Sequence, residues 1–202
     1  MMKSTMMPYL ALCALPLLWT NPAQAEEPAP DSVAAMQAMM EKSQKYTQPG
    51  SRHEQLKHFL GEWKTETRIT MAGAPDKGEP GTSTFSWLME GRWLKEDASG
   101  QFMGQPIHSF SIMGYDNFKQ SFVATSVSSF DTAMRRAEGD MDPGGKALLM
   151  YGTIDEYLTG EHDKMVKVVW RFIGDDEMVM ELHDLPIGEN NTQVVEIRYT
   201  RK

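Results

Sequence analysis

The sequence predicts an all-β protein, an up-and-down antiparallel β-barrel of about ten strands with short N-terminal helices. Three observations carry that prediction. First, Leu60-Gly61-Glu62-Trp63 opens an alternating run in which Trp63, Thr65, Thr67, Ile69 and Met71 take one phase. Lys64, Glu66, Arg68 and Thr70 take the other, the pattern of a half-buried strand. Second, every later segment reads as a strand bounded by Gly, Pro, Asp or Asn turns, with no helical stretch to carry parallel crossovers. Third, the last segment, Val195-Glu196-Ile197-Arg198-Tyr199-Thr200-Arg201, stands at the very end of the series. A meander with an even strand count closes by pairing its last strand antiparallel to its first, which removes both edges. Trp63 then lies beside Arg201, close enough for the guanidinium to cover the indole ring.

Upstream of the barrel, Lys3, the apolar run Met6 to Trp19 and Ala23-Gln24-Ala25 have the order of a secretory signal peptide. The run is shorter than the roughly 20 residues that span a bilayer, so stable membrane insertion is not expected. Cleavage after Ala25 is expected to leave one domain, periplasmic in a Gram-negative cell and otherwise secreted. Residues 1–25 are thus read as signal, 26–50 as a leader with a short helix, and 51–202 as the barrel domain.

Cys13 is the one cysteine of the chain and falls inside the apolar run. Bulky Leu12 before it disfavours a lipid attachment site. The exported chain is therefore expected to lack disulfides, thiol catalysis and cysteine metal sites. A net charge of −8 with no Lys/Arg cluster makes nucleic acid a poor partner.

Taken in order, Pro28 and Pro30 make the leader extended. Asp31 or Ser32 can cap a helix through about Tyr46, stopped by Pro49-Gly50. Val33, Met36 and Met40 share a face of that helix. It could cover a barrel end or mediate association, and a homodimer is within what this reading allows. With Met39 its methionines are potential soft copper(I) ligands, but at helical spacing they read as apolar packing. Arg52 to Leu60 is a second short helix with Leu56, Phe59 and Leu60 inward. Its His53 and His58 stand five apart, off a common face, so no metal pair is expected.

After the first strand and a loop through Gly73, Pro75, Gly78, Pro80 and Gly81, strands are expected at Thr82–Glu90, Arg92–Ser99, Pro106–Met113 and Ser121–Phe130. Asp131 to Gly139 is a weaker strand. Asp142-Pro143-Gly144-Gly145 is a hairpin turn before Lys146 to Tyr157. Lys164–Ile173, Glu177–Leu182 and Gln193–Arg201 complete the meander.

Gly61-Glu62-Trp63 after a short helix, with Arg201 at the end, resembles the G-x-W signature of the lipocalin-like calycins. A wider resemblance, from roughly His53 to Lys202, is to the bacterial domain of unknown function (DUF) 1579 family. It rests on His53-x-x-Leu56, Gly61-x-Trp63, Gly91-Arg92-Trp93-Leu94 and Gly100-x-x-x-Gly104-x-Pro106. Gly114-Tyr115-Asp116-Asn117, Ser129-Phe130-Asp131-Thr132 and Gly139 complete it. The resemblance implies a lipocalin-like barrel and brings no catalytic residues. Where relatives tend to carry a tryptophan before Asp131, this chain has Ala124 to Val127. Haem-binding barrels such as the nitrobindins look similar in general form. Their haem histidine has no counterpart at His108, His162 or His183, so no cofactor is expected.

No nucleophile elbow, H-E-x-x-H, P-loop or dinucleotide fingerprint occurs, and no catalytic or metal-ligating residue is assigned. Gly114-Tyr115-Asp116-Asn117 reads as a turn in which Asp and Asn bond backbone, rather than as an acid/base pair. Arg135 and Arg136 are adjacent, so one faces inward, toward an acidic ligand, Glu96 or Glu181. The expected ligand-binding residues are Trp87, Trp93, His108, Phe110, Tyr151 and Trp170. His108 is placed with Phe110 and Ile112 on the lumen side, and Trp93 in phase with Lys95 and Asp97 at the polar end of its strand. Gly61, Trp63 and Arg201 are structural. Three functions stay open: a binder of a small apolar or amphipathic molecule, an enzyme (hydrolase or isomerase) using Asp131, His108 or Tyr115, and a filled barrel serving as a structural or interaction module.

Overall fold

Alternation sets the inside and outside of each strand, and cross-strand register then locks those phases around the whole ring. The structure is a computed structural model describing residues 32–70, 77–157, 159–185 and 193–202. The signal segment 1–25 and the first part of the leader lie outside the described residues, as do Gly73 and Pro75. Two units divide the chain, Met1–Lys42 and Ser43–Lys202. The described part of the first is helical, and the second holds the barrel. No helix among the described residues is long and apolar enough to cross a membrane.

Helix α1 (Ser32–Thr47) is followed by α2 (Ser51–Glu54), which runs directly into a 3-10 turn, Gln55–Phe59. The expected second helix is therefore a single α turn tightened into 3-10 form. Ten strands follow: β1 (Gly61–Ile69), β2 (Glu79–Met89), β3 (Trp93–Phe102), β4 (Gln105–Asp116), β5 (Ser121–Ser128), β6 (Arg135–Met141), β7 (Ala147–Glu156), β8 (Glu161–Phe172), β9 (Glu177–Asp184) and β10 (Gln193–Arg201). Each pairs antiparallel with its neighbour in sequence, and β1 pairs with β10 to close the barrel. The expected strand at Asp131 starts later, at Arg135. The Asp131 carboxylate instead accepts the Ala133 N–H and pairs with Arg135, which makes a turn of the segment before it.

Closure depends on the join at Trp63. Trp63 and Arg201 are register partners, and the guanidinium lies 4.1 Å from the indole centroid. Arg201 Nη1 donates to the Leu60 carbonyl at 2.6 Å, while Nε and Nη2 donate to the Asp175 carbonyl at 3.0 and 2.8 Å. One side chain thereby ties the entry into β1, the β8–β9 turn and the end of β10. Gly61 has φ +125°, and a Cβ there would stand 2.5 Å from Arg201 Nη1, so this position needs glycine. The Trp63 indole N–H donates to the Phe59 carbonyl at 2.9 Å, fixing the 3-10 turn over the same end.

That end is filled. Leu56 and Phe59 descend from the 3-10 turn into a core with Trp63, Phe85, Leu94, Phe122, Leu148 and Trp170. Phe59 meets Phe85, Trp170 and Phe172 at 5.1 to 5.5 Å between ring centroids. Arg201→Ala should lower the unfolding free energy by about 2–3 kcal/mol in a urea melt, since it removes a cation–π contact and leaves two carbonyls without their donor. A loss below about 0.5 kcal/mol, the size of an ordinary surface change, would show that closure does not rest on this residue.

Candidate functional site

In β3 the inward phase is Leu94, Glu96, Ala98 and Gly100, while Trp93, Lys95, Asp97 and Ser99 face out. Leu94 is wholly buried in the core, and two residues further along comes a carboxylate in the same phase. Register sets Glu96 between Phe85 of β2 and Ser111 of β4. Ser83 Oγ donates to Glu96 Oε1 at 2.8 Å, and Ser111 Oγ donates to Oε2 at 3.1 Å. The Tyr199 hydroxyl, reaching across from β10, donates to Oε1 at 3.1 Å. Four strands thus converge on one acid inside the barrel.

Burial pushes the Glu96 carboxyl above the usual carboxylate range, and the three hydroxyls pull it part of the way back. Burial also lifts the Tyr199 hydroxyl well above its ordinary value, helped by the charge of Glu96 and the hydrogen bond to it. Among the described residues no cation pairs with Glu96. Arg135, in the same inward row, is held by Asp131, and Lys164 by Asp184 at 2.9 Å.

Glu96 also marks a boundary. Toward the 3-10 turn most inward side chains are buried, with Trp87, Tyr115 and Phe172 partly accessible, and at the other end Val166 is buried as well. Toward the other end Thr65, Thr67, Ala98, Ser109, Ser126, Ala137, Val168, Leu182, Val195 and Ile197 are all partly accessible, although they point inward. The two walls differ. On β3, β4 and β5 the inward residues next to the core are small or hydroxylic, Ala98, Ser109, Ser111, Ala124 and Ser126, with Phe102 and Ile107 in the same phases at the β3–β4 hairpin. On β8, β9 and β10 they are Val168, Met180, Leu182, Val195 and Ile197.

The expected ligand residues separate. Trp87 and Trp170 face inward, Trp170 at 6% exposure in the core and Trp87 packed against it. Trp93, His108, Phe110 and Tyr151 lie on the outer face, which corrects the lumenal placement of His108 and Phe110. The reason is register: Ser111 opposes Glu96, so Phe110 opposes Asp97 on the outside. In β4 the phase with Phe110 and Ile112 faces out, while the phase with Ser109 and Ser111, which also holds Ile107 and the buried Met113, faces in. His108 Nε2 there lies 2.9 Å from Asp97 Oδ1. Trp93 packs over Gly114, where a Cβ would strike its ring.

Asp131, His108 and Tyr115 do not converge. Tyr115 sits at the filled end against His53, with ring centroids 5.7 Å apart. His53 Nδ1 accepts the Gly50 N–H at 3.1 Å while the ring also bonds the Tyr115 backbone, and burial holds its pKa below the ordinary value. Asp116 Oδ1 accepts from the Phe118 and Lys119 N–H groups at 2.8 and 3.0 Å, as a turn residue does. Asn117 Nδ2 donates to the Gln48 carbonyl at 2.7 Å, and Arg92 bonds the Thr47 carbonyl. A polar surface cavity of about 170 Å³ lies among Tyr46, His53, Arg92, Tyr115 and Asn117. The Gly91-Arg92 and Asp116-Asn117 motifs therefore anchor the end of α1 rather than perform chemistry.

The family model "Protein of unknown function (DUF1579)" matches residues 48–201. The chain belongs to the DUF1579 family. Among solved structures, this DUF1579 protein is similar in fold to the one titled "Crystal Structure of Rv2717c from M. tuberculosis", with a TM-score of 0.56 and 12% identity. That likeness covers 77% of this chain and 99% of the other, and at this identity it concerns fold alone. No protein of curated function matches.

The sequence offers Glu96 only as a partner for an inward arginine, a pairing that is not made because Arg135 is held by Asp131. The usable signal was its phase with Leu94 and Ala98. A carboxyl whose pKa is raised on folding stabilises the fold below its unfolded pKa, and that contribution is lost as pH rises through the folded pKa. Glu96→Gln should therefore melt higher than the parent protein at pH 8, with the gap closing as acid protonates Glu96 above its ordinary 4.5. A constant gap across pH, or a lower melting point throughout, would mean that Glu96 is not a buried, unpaired acid.

Proposed function

We propose that this DUF1579 protein is an exported binder that holds a small apolar or amphipathic molecule in the open half of its barrel. The observation that carries the reading is the accessibility change at Glu96. Most inward residues toward the 3-10 turn are buried in the core and most of those toward the other end are partly accessible, which supports a lumen with a packed floor and room above it. Ligand sites in barrels are apolar cavities with a few placed polar groups. The Val168–Met180–Leu182–Ile197 wall supplies the apolar surface, and Glu96 with Ser83, Ser111 and Tyr199 supplies the polar group. Export rests on Lys3, the Met6–Trp19 run and Ala23-Gln24-Ala25.

The test uses protein recovered from the cell envelope, whose intact mass should begin at Glu26. Titration with N-phenyl-1-naphthylamine, a neutral fluorophore that brightens in apolar surroundings, should saturate at one site per chain. Ala98→Trp, which places a large ring in the open half, should weaken that binding by roughly tenfold or more. A parent protein that neither brightens the probe nor shifts in melting temperature with it would instead be a filled barrel. A mass retaining the first 25 residues would overturn export.

A further inference from the structure

Within the proposed lumen, the floor has a definite chemical preference. Glu96 is a carboxylate with about four lone-pair positions for donors, and three are engaged by Ser83, Ser111 and Tyr199. Oε1 takes two of the three donors and Oε2 takes one. All three donors are neutral hydroxyls, which orient an anion without cancelling its charge. The protein's own inward cations are spent elsewhere: Arg135 on Asp131 near the mouth, and Lys164 on Asp184. Lys95, beside Glu96 in sequence, points out of the barrel, and so does Asp97. Among the described residues the titratable group in contact with the carboxylate is Tyr199, itself a neutral donor.

We infer that the ligand is an amphiphile whose head is a protonated amine, seated on Glu96, with its apolar body along the β8–β10 wall. This rests on the lumen being a binding cavity, as proposed above. A cationic head supplies the charge partner that the barrel withholds, and an ammonium N–H fits the acceptor capacity left at Oε2. Phe85, the register partner of Glu96, and the Tyr199 ring stand 6.1 Å apart at the same floor. They give the head an aromatic surround, which favours cations over anions. The Val168, Met180, Leu182 and Ile197 side chains give the tail a wall that a compact, wholly polar amine could not use.

The experiment displaces N-phenyl-1-naphthylamine with decylamine, decanol and decanoate, which share one tail and differ in the head. Decylamine should displace the probe at a concentration roughly tenfold or more below decanol, with decanoate weakest. Glu96→Gln should bring decylamine to within about twofold of decanol, whatever it does to the affinity for the probe. Asp97→Asn, on the outer face of the same strand, should leave the amine preference unchanged. If decanol or decanoate competes as well as decylamine, or if Glu96→Gln keeps the amine preference, the head assignment falls while the binding cavity stands. If neither the probe nor decylamine binds, by fluorescence or by calorimetry, the cavity reading falls with it.

Discussion

A guanidinium on an indole closes this barrel. Arg201 lies on the Trp63 ring and donates to carbonyls at both flanking chain reversals, Leu60 and Asp175. The first and last strands meet there, so a contact between residues 138 positions apart in numbering, 63 and 201, decides whether ten strands form a ring or an open sheet. The Trp63 N–H bond to the Phe59 carbonyl hangs the 3-10 turn from the same point, and Leu56 and Phe59 then plug that end. Closure matters because open sheet edges invite pairing with other chains.

A plugged end has a consequence at the other. The aromatic core is concentrated on the 3-10 side of Glu96, while Ala98, Gly100, Ser109 and Ser126 line one wall of the inside beyond it. Small inward residues on that wall are what the proposed cavity rests on. Glu96 sits where packed core gives way to that wall, held by hydroxyls from three other strands. Keeping an acid there without a cation partner among the described residues costs stability, which is the physical ground for the proposed ligand contact.

The fold could be read from the sequence because its signals are local or terminal. Alternation at Trp63–Ile69, turn residues at Asp142–Gly145 and the G-x-W and Arg201 pair each point one way without knowledge of the rest. Gly114-Tyr115-Asp116-Asn117 was legible as a turn for the same reason, although the Asn117 contact to Gln48 was not, being made across the fold. The site was less legible. Apolar alternation in β4 suggested that Phe110 and His108 face inward, yet register with β3 turns Ser109 and Ser111 to the lumen instead. Where a lumen is open and partly polar, the hydrophobic phase of a strand no longer identifies the inside. Glu96 could be singled out only once its neighbours Phe85 and Ser111 were known.

Chemical access to position 98 tests this account most directly. In a protein beginning at Glu26, which lacks Cys13, Ala98→Cys introduces a lone thiol, and Leu94→Cys provides a control on the same face within the packed core. A small uncharged maleimide should modify the native Ala98→Cys protein at a rate within roughly tenfold of an exposed thiol, and saturating decylamine should slow it. Leu94→Cys should stay unreactive until the protein is unfolded. Equal protection at both positions in the native state would contradict the account, since it would show a barrel filled from end to end.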